Sequence, residues 1–257
     1  MSFNIRESKW EERQSAVLEM LNTEKPDIIG LQELKVLWGL DKLTQIDTWK
    51  VISQGVTGYQ GYRPDGQTNG FLYNPEVFEV SNTGLFYLGD DHEKPGVENS
   101  WDDWQRTTVY ATLKHKDTGK NFFFIATHYP VNWDPGCFNS TELIVERLSA
   151  LNTNKYPVIM VGDFNCTKSS GALAGIEAFM RDARTYADTY YSEDNRNLYT
   201  YNAFGDESKA RHKVDFIWYS HPALDAKYYE VITQETKKYG DVEYLSDHYP
   251  ISAIIRF

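Results

Sequence analysis

Short apolar runs, typical of buried strands, alternate along this chain with a few segments of helical periodicity. The predicted strands are Met1 to Arg6 (an edge or opening strand), Ile28 to Leu31, Phe122 to Ala126, Pro157 to Val161, Val214 to Tyr219 and Ile251 to Phe257. Gly70 to Val80 predicts a strand, a turn at Asn74-Pro75 and a second strand. The rest of Gly55 to Asp103, rich in Gly, Asp, Asn and aromatic residues, is predicted to be loop.

Three segments have the spacing of amphipathic helices. Glu11 to Glu24 places Ala16, Val17, Met20 and Leu21 on one face, and Pro26-Asp27 ends it. A second helix is predicted to start with capping residues at Asn139-Ser140-Thr141-Glu142 and to bury Leu143, Ile144, Leu148 and Leu151. A third is predicted to start at Ser169-Ser170 and to face Leu173, Ile176, Phe179 and Met180 inward. Strands scattered among so few helices favour sheets packed on each other with helices outside. No linker or repeat divides the chain, so we predict a single domain over residues 1–257.

The net charge and the aromatic content limit the kinds of molecule that this chain is expected to bind. The net charge of −11 argues against a protein that clamps a long polyanion, because such proteins present a basic stripe to the phosphates. It leaves cleavage of a phosphoester open, since a bound cation inverts the local electrostatics of a carboxylate-rich site. The aromatic content of 15% fits an aromatic-rich core or stacking platforms for bases or sugars, and composition does not separate the two.

Two cysteines, Cys137 and Cys166, are too few for a disulfide framework, so we expect a reducing, cytoplasmic setting. No apolar run approaches the length of a membrane span. Met1 lies directly on a predicted strand, which leaves an upstream segment and export open. We expect a monomer.

Polar residues stand where the apolar strands end. Glu33 follows the second strand, His128 follows Phe122 to Ala126, and Asp163 with Asn165 follow Pro157 to Val161. Asp215 opens the Val214 strand, and Asp247-His248 precede the last strand. A charged group at the end of a buried strand costs desolvation unless it is paired or bound to a metal. If the strands lie side by side, these ends converge on one pocket that suits metal-assisted hydrolysis.

The side-chain types indicate which metal the pocket would bind. Carboxylate and amide oxygens suit hard cations, with Mg²⁺ first and Mn²⁺ or Ca²⁺ as alternatives. Zinc would require more His or Cys at close spacing than the sequence offers.

At these residues the sequence resembles the endonuclease/exonuclease/phosphatase superfamily, with a pancreatic-deoxyribonuclease-like fold, and looks like a bacterial-type member. The resemblance covers nearly the whole chain, through Ser2-Phe3-Asn4, Leu31-Gln32-Glu33, Thr127-His128, Gly162-Asp163-Phe164-Asn165, Val214-Asp215-Phe216-Ile217 and Ser246-Asp247-His248. Each fragment alone is weak, and six in family order are strong. The resemblance implies a four-layer α-β-β-α sandwich, with two mostly antiparallel sheets flanked by helices.

The resemblance also implies roles for single residues. Glu33 would ligate the divalent cation, with Asn4 beside it and Asp247 near the metal. His248 would orient or deprotonate the attacking water, held in its tautomer by Asp215. Asp163 would position the nucleophile or assist proton transfer, and Asn165 would donate hydrogen bonds to the phosphoryl oxygens. His128 would contact the phosphate or serve the leaving group.

Several residues have two interpretations. Many bacterial relatives have Leu-Asp after the His128 equivalent, whereas this chain has Tyr129-Pro130, which puts the substrate-side geometry in question. Asp215 is either the partner of His248 or a salt bridge to Arg211 or Lys213. The basic run Lys209, Arg211, His212 and Lys213 is either a solvated loop or a phosphate-facing patch. Cys166 is interpreted as a buried thiol rather than a nucleophile, and no substrate contact is assigned to Arg106.

The leading hypothesis is a divalent-metal-dependent phosphoester hydrolase that acts on a phosphorylated small molecule or a short nucleic acid. A nuclease for short DNA or RNA is the alternative within the fold. A glycosidase, which needs two carboxylates and no metal, and a non-catalytic binding module on the same scaffold are the alternatives of another class. The sequence does not name the substrate, because specificity in such a fold belongs to loops, here Gly55 to Asp103, Tyr129 to Phe138 and Tyr186 to Lys213.

Overall fold

Helices and strands are assigned in a computed structural model that describes residues 1–38, 45–95, 101, 105–131, 135–209, 211–234 and 238–257. The helices are α1 (Trp10–Glu24), α2 (Thr48–Gly55), α3 (Gly136–Leu151), α4 (Ala174–Glu177), α5 (Ala183–Tyr186) and α6 (Glu193–Asn197), with 3-10 turns at Lys168–Ser170 and Ala203–Gly205. The strands are β1 (Ser2–Asn4), β2 (Ile28–Gln32), β3 (Val36–Trp38), β4 (Gln45–Asp47), β5 (Gln60–Tyr62), β6 (Gly70–Tyr73), β7 (Phe78–Leu88), β8 (Arg106–His115), β9 (Asn121–His128), β10 (Val158–Asp163), β11 (Met180–Asp182), β12 (Thr189–Tyr190), β13 (Asp215–Ser220), β14 (Asp225–Val231) and β15 (Ile251–Arg256).

Two sheets hold most of these strands. The first has the order β12-β14-β15-β1-β2-β6-β5 and the second the order β11-β13-β10-β9-β8-β7, while β3 and β4 form a separate pair. Neighbours are antiparallel except for β1 with β2, β12 with β14 and β9 with β10. The predicted fold class, two mostly antiparallel sheets with helices outside, is confirmed.

Alternation along β9 shows how the layers form. Phe122, Phe124 and Ala126 belong to the core between the two sheets. Phe123 and Ile125 point to the opposite face, where they join a second core with the α3 residue Ile144. This period of two is what a strand buried on both faces requires. It explains why the sequence there is continuously apolar.

The helix α1 covers the outer face of the first sheet. Its predicted apolar residues Ala16, Val17, Met20 and Leu21 are all fully buried, in a cluster with residues of β1 and β2. The helix begins at Trp10, and Lys25 ends it in a left-handed conformation. The predicted helix from Glu11 to Glu24 is confirmed.

The start predicted for the next helix was wrong. The helix α3 begins at Gly136, and the amide of Asn139 already donates to the carbonyl of Pro135 at 3.0 Å. Ser140 and Thr141 are buried inside the helix, where Thr141 contacts the hydroxyl of Tyr129. These polar residues therefore face the interior and are no caps.

The helix predicted after Ser169-Ser170 was also wrong. A 3-10 turn ends at Gly171, which has a left-handed φ of 78°, and only the four residues of α4 follow. Met180 starts β11 and pairs with Ser220, while Phe179 is 40% exposed. Pairing with β13 has overridden the local helical pattern, as tertiary context often does.

Two further strand predictions need correction. The strand β1 is no edge strand, because it lies between β15 and β2. Much of Gly55 to Asp103 is not loop, since β7 pairs with β8 from Phe78 to Leu88. The predicted turn at Asn74-Pro75 is present, and it carries the chain from β6 in one sheet to β7 in the other. Residues 96–100 and 102–103 of that segment lie outside the described part.

Two glycines allow a close approach near the sheet ends. A Cβ on Gly30 of β2 would lie 2.3 Å from a methyl carbon of Val161 in the facing sheet. A Cβ on Gly162 of β10 would lie 2.2 Å from the carbonyl oxygen of Thr127. Real side chains do not reach such distances, so only glycine fits. The Gly30 contact brings the two sheets close to each other, and the Gly162 contact brings the neighbouring strands β9 and β10 close within one sheet.

Candidate active site

The strand directions place the predicted site residues at one edge of the sandwich. The parallel pair β9 and β10 aligns His128 with Asp163, and the antiparallel β13 aligns Asp215 with the same Asp163. In the other sheet, β1 aligns Asn4 with the last residue of β2, one position before Glu33. The strands β1 and β10 contact each other across the interior.

His248 connects two carboxylates. Its Nδ1 lies 2.9 Å from Oδ2 of Asp215, and its Nε2 lies 3.6 Å from Oδ2 of Asp163. All three side chains are buried. Burial alone would lower the pKa of His248, but Asp215 and Asp163 outweigh it and raise this pKa to about 10. The imidazole therefore has a high affinity for a proton.

Asn4 links the two sheets at the centre of the site. Its Nδ2 donates to Oδ2 of Asp163 at 3.0 Å and to Oε1 of Glu33 at 3.0 Å. Its carbonyl accepts a hydrogen bond from the hydroxyl of Ser246 at 2.7 Å, which anchors the segment before β15. The predicted residues Asn4, Glu33 and Asp163 thus form one connected group.

His128 is buried on the other side of Asp163. Its Nε2 lies 3.4 Å from Oδ2 of Asp163 and 3.0 Å from Nη1 of Arg106. Burial first and the Arg106 charge second lower the pKa of His128 to about 4, against the opposite influence of Asp163. At neutral pH this imidazole is therefore uncharged.

Asn165 is held by the end of β9. Its backbone amide donates to Oδ1 of Asp163 at 2.9 Å, and its side-chain Nδ2 donates to the carbonyl of Tyr129 at 2.9 Å. Its φ of 49° is a left-handed value that asparagine tolerates better than most residues. The departure at Tyr129-Pro130 leaves this geometry intact, since Tyr129 is fully buried and its amide donates to the carbonyl of Asp163.

Glu33 and Asp247 both lie near the guanidinium of Arg6. The Arg6 guanidinium lies 3.4 Å from Oε2 of Glu33 and 3.5 Å from Oδ2 of Asp247. Burial first and the neighbouring carboxyl of Glu7 second raise the pKa of Glu33 to about 7. Glu7 is in turn paired with Lys35 at 3.0 Å. Glu33 and Asp247 therefore share the Arg6 guanidinium, and Glu7 lies beside Glu33.

Comparison with known proteins identifies the family. A model of the Endonuclease/Exonuclease/phosphatase family matches residues 1–248. This chain belongs to that family. Its members are phosphoesterases and nucleases, so the enzyme class predicted from the resemblance, a hydrolase of phosphoester bonds, is supported at that level.

The relatives in this family include human and bacterial proteins. Nocturnin of Homo sapiens is 25% identical in an alignment of 265 positions that covers 93% of this chain and 57% of nocturnin, so the chain spans little more than half of that relative. An endonuclease/exonuclease/phosphatase structure from Bacteroides vulgatus superposes with a TM-score of 0.81, at 25% identity over 99% of this chain and 97% of its own. A mannosyl-6-phosphatase of Bacteroides thetaiotaomicron shares the fold, with a TM-score of 0.80 at 24% identity over 100% and 98% of the two chains.

The donor set fits a hard divalent cation. Glu33 and Asp247 offer carboxylate oxygens of the type that Mg²⁺ prefers. Asn4 turns its Nδ2 to Glu33 and Asp163, while its Oδ1 accepts from the backbone amide of Arg6 at 3.0 Å. The raised pKa of Glu33 means that Asn4 and Arg6 only partly offset the cost of burying its ionised form, and a bound cation would offset more of it. The guanidinium of Arg6 already lies between two of these carboxylates.

A second group of ligand types lies nearby. Asp163, Asp215 and His248 each offer one ligand atom, and these atoms lie within 4.8 Å of one another. The 2.9 Å hydrogen bond between His248 and Asp215 already uses one ring nitrogen and one carboxylate oxygen. These two atoms are therefore engaged with each other, and Nε2 of His248 faces Asp163 at 3.6 Å.

Sequence reasoning missed four residues around the site. Arg6 and Glu7 follow Asn4 closely in the chain, yet nothing in the pattern marks them. Arg106 opens β8 and contacts His128, although no role was assigned to it. The ring of Tyr201 packs on His248 with centroids 5.1 Å apart. These contacts join segments that are far apart in sequence. Arg106, the polar first residue of β8, was the one of the four that the strand pattern could have indicated.

Three further predictions concern the partner of Asp215, the state of Cys166 and the absence of a membrane span. Asp215 pairs with His248 and not with Arg211 or Lys213. Cys166 is a free, buried thiol as predicted, and a hydrogen bond with Cys137 together with burial raises its pKa far above the usual value. Within the described ranges, no helix is both long and apolar enough to cross a membrane.

Proposed function

We propose that this chain is a divalent-metal-dependent hydrolase of phosphoester bonds in which His248, held by Asp215, activates the attacking water. The observation that carries the proposal is the chain of contacts Asp215–His248–Asp163–Asn4–Glu33, which runs from a proton acceptor to a cation site. The group crosses both sheets, and no member except Glu33 is more than slightly exposed. Such a buried arrangement of titratable groups with opposed pKa shifts is typical of acid–base catalysis.

Proton transfer is the part assigned to His248. The Asp215 carboxylate accepts the Nδ1 hydrogen, so Nε2 is the atom that faces Asp163 and takes a proton from the water. The raised pKa of His248 makes the neutral ring a strong acceptor. Asp163 positions the water from the other side and is itself fixed by Asn4 and the amide of Asn165.

The phosphate is bound by donors around Asp163. Asn165 donates one side-chain hydrogen to the carbonyl of Tyr129, and this hydrogen bond fixes the orientation of the amide. The second hydrogen would then donate to a phosphoryl oxygen. His128 is neutral and can donate one hydrogen to the phosphate or the leaving oxygen, and Arg106 beside it adds positive charge. His128 and Arg106 would both stabilise the negative charge that develops in the transition state.

Glu33 and Asp247 would hold the cation, with Mg²⁺ first and Mn²⁺ or Ca²⁺ as alternatives, and Asn4 would orient Glu33 through its Nδ2. When bound, such an ion polarises the phosphoryl group and offsets its negative charge. Without that compensation, the carboxylates of Glu33, Asp163 and Asp247 would repel a phosphate, which is why we propose metal dependence.

The substrate that we propose is a phosphorylated small molecule or a short oligonucleotide. One protein with this fold is named a mannosyl-6-phosphatase, which supports a small phosphorylated molecule as the substrate. The net charge of −11 disfavours a long nucleic acid.

A substrate panel tests the proposal. Sugar phosphates, a nitrophenyl phosphodiester and short DNA and RNA oligonucleotides are incubated with Mg²⁺, Mn²⁺ or EDTA, using the wild type, Asp163→Asn and the exposed control Asp65→Asn. We expect turnover with a divalent ion by the wild type and the control, and none in EDTA or by Asp163→Asn. Metal binding without turnover on any substrate would instead support a binding module, and full activity in EDTA would exclude the proposed mechanism.

A further inference from the structure

A basic cavity lies beside the catalytic group, in a protein that is acidic overall. It has a volume of about 430 Å³, and its cationic lining residues are Lys168, Arg184, Arg196, Arg211 and Lys213. Asp182 is the acidic residue that lines it. Five positive charges against one negative leave the lining at +4, whereas the whole chain carries −11. We call this the basic cavity.

Two of these cations, Arg184 and Arg211, donate their hydrogen bonds to neutral groups, while the charges of Asp182 and Asp215 also act on Arg184. Arg184 donates to the neutral hydroxyl of Tyr229 and, at 3.5 Å, to the carbonyl of Asp215. Arg211 donates to the hydroxyl of Tyr199 at 2.8 Å and to the carbonyl of Gly205. Such neutral partners fix the direction of a guanidinium without cancelling its charge, which is how an anion site is preorganised.

The remaining lining residues differ in how far they are neutralised. Lys168 pairs with Glu177 at 2.7 Å, and Arg196 pairs with the exposed Glu193 at 3.3 Å. The ammonium of Lys213 has no hydrogen-bond partner among the residues that the structure describes. Burial first, and then the charges of Arg184 and Arg196, lower its pKa, against the influence of Asp182. The cations therefore repel one another, and a bound anion would relieve that repulsion.

The basic cavity is close to the reacting groups. Its lining residue Lys213 stands two positions before Asp215, and Thr167 two positions after Asn165. Tyr201 forms an antiparallel bridge to His212 of the lining and another to His248. Two strand spacings separate His212 from His248, which is roughly 10 Å. One substrate molecule can span that separation.

We propose that the basic cavity is the subsite for a second phosphate group of the substrate, next to the scissile one; this rests on the phosphoester hydrolysis proposed above. The volume accommodates a phosphate together with a sugar-sized group that carries it. The subsite would select doubly phosphorylated or oligonucleotide substrates over simple monophosphates. It also explains how a strongly acidic protein attracts a dianionic substrate.

Binding of inorganic phosphate, measured by calorimetry in EDTA, tests the cavity without turnover. We compare the wild type with Lys213→Gln, with Arg196→Gln as a second variant, and with Lys50→Gln, which removes an exposed charge from α2. We expect the dissociation constant to rise about tenfold in each cavity variant, as for a lost charge-assisted hydrogen bond, and to stay unchanged in Lys50→Gln. Asn165→Ala separates the two sites, because its phosphate affinity should equal that of the wild type.

The kinetic arm uses the nitrophenyl ester of thymidine 5′-phosphate with and without a 3′-phosphate. We expect the 3′-phosphate to lower KM about tenfold in the wild type and Lys50→Gln, and this preference to disappear in Lys213→Gln and Arg196→Gln. A phosphate dissociation constant that is the same in the wild type and the cavity variants would contradict the proposed phosphate site. Cavity-dependent binding with no KM preference means that a free anion is the occupant, and it overturns the substrate assignment. Turnover of neither ester counts against the proposed function, and the calorimetry then still decides the cavity.

Discussion

The side-chain amide of Asn4 donates to Oδ2 of Asp163 at 3.0 Å, although the two residues stand 159 positions apart. Asn4 ends a strand of one sheet and Asp163 a strand of the other, so this hydrogen bond joins the sheets at the site. The same amide also contacts Glu33. One residue therefore sets the distance between the proposed cation site and the proposed water-activating group.

Replacing that link is expected to lower turnover more than stability. In Asn4→Ala, Asp163 and Glu33 lose a shared donor, and we expect kcat to fall about 10- to 100-fold, as for other residues that orient a metal site. Asn22→Ala is the matched control, because Asn22 of α1 contacts the carbonyls of Leu18 and Gly55 and the hydroxyl of Thr57, none of which belongs to the site. Steady-state kinetics with Mg²⁺ and a thermal melt measure both effects. Equal kcat in Asn4→Ala and Asn22→Ala would contradict the linking role.

Removing the charge of Asp215 is expected to move the pH profile. Asp215 raises the pKa of His248, so Asp215→Asn lowers it, and the neutral ring needed as a base is reached at lower pH. The rising limb of kcat against pH should shift to the acid side, while the plateau falls about 10²- to 10⁴-fold. The exposed control Asp65→Asn should leave the profile unchanged. A limb that stays in place would show that His248 is not the titrating base.

Glu33 is expected to cost stability when no cation is bound. Its pKa is raised from 4.5 to about 7, so the folded state holds this proton more tightly than the unfolded state. Stability is thus lost as the pH rises from about 4.5 to 7, and Glu33→Gln avoids the loss. In EDTA at pH 8 we expect the variant to be more stable by roughly 1 to 3 kcal/mol, with no gain near pH 4.

Added Mg²⁺ should make the wild type more stable than Glu33→Gln at pH 8. It is expected to raise the melting temperature of the wild type and to have little effect on Glu33→Gln, because binding to the folded state alone stabilises it. The measurement is calorimetry at pH 4 and pH 8 with EDTA or Mg²⁺. Identical melting temperatures of the two proteins in EDTA at pH 8 would refute the interpretation of Glu33.

Arg106 is expected to keep His128 neutral. Its charge is the largest cause after burial of the lowered pKa of His128, about 4. In Arg106→Met this pKa should rise, since Asp163 remains beside the ring, whereas Arg106→Lys retains the charge and should keep the pKa low. Imidazole ¹⁵N chemical shifts from pH 3 to 8 measure it directly. A pKa that is the same in the Met and Lys variants would exclude an electrostatic role.

The sequence by itself determined which residues carry polar chemistry and where the strands end. A strand buried on both faces must be continuously apolar, so Phe122 to Ala126 was recognisable, and so was the polar residue His128 that follows it. The spacing of Ala16, Val17, Met20 and Leu21 likewise identified α1, because its buried face is set by helical geometry alone.

Only the tertiary structure decided which segments meet. The start of α3 and the strand at Met180 depended on packing and on pairing with β13, which local patterns do not encode. The contacts of Arg6, Arg106 and Tyr201 with the site, and the charges gathered in the basic cavity, depend on distances between segments remote in sequence. Hydrophobic periodicity specifies the face that a residue occupies, whereas electrostatics and hydrogen bonding depend on neighbours in space, which strand order and register supply.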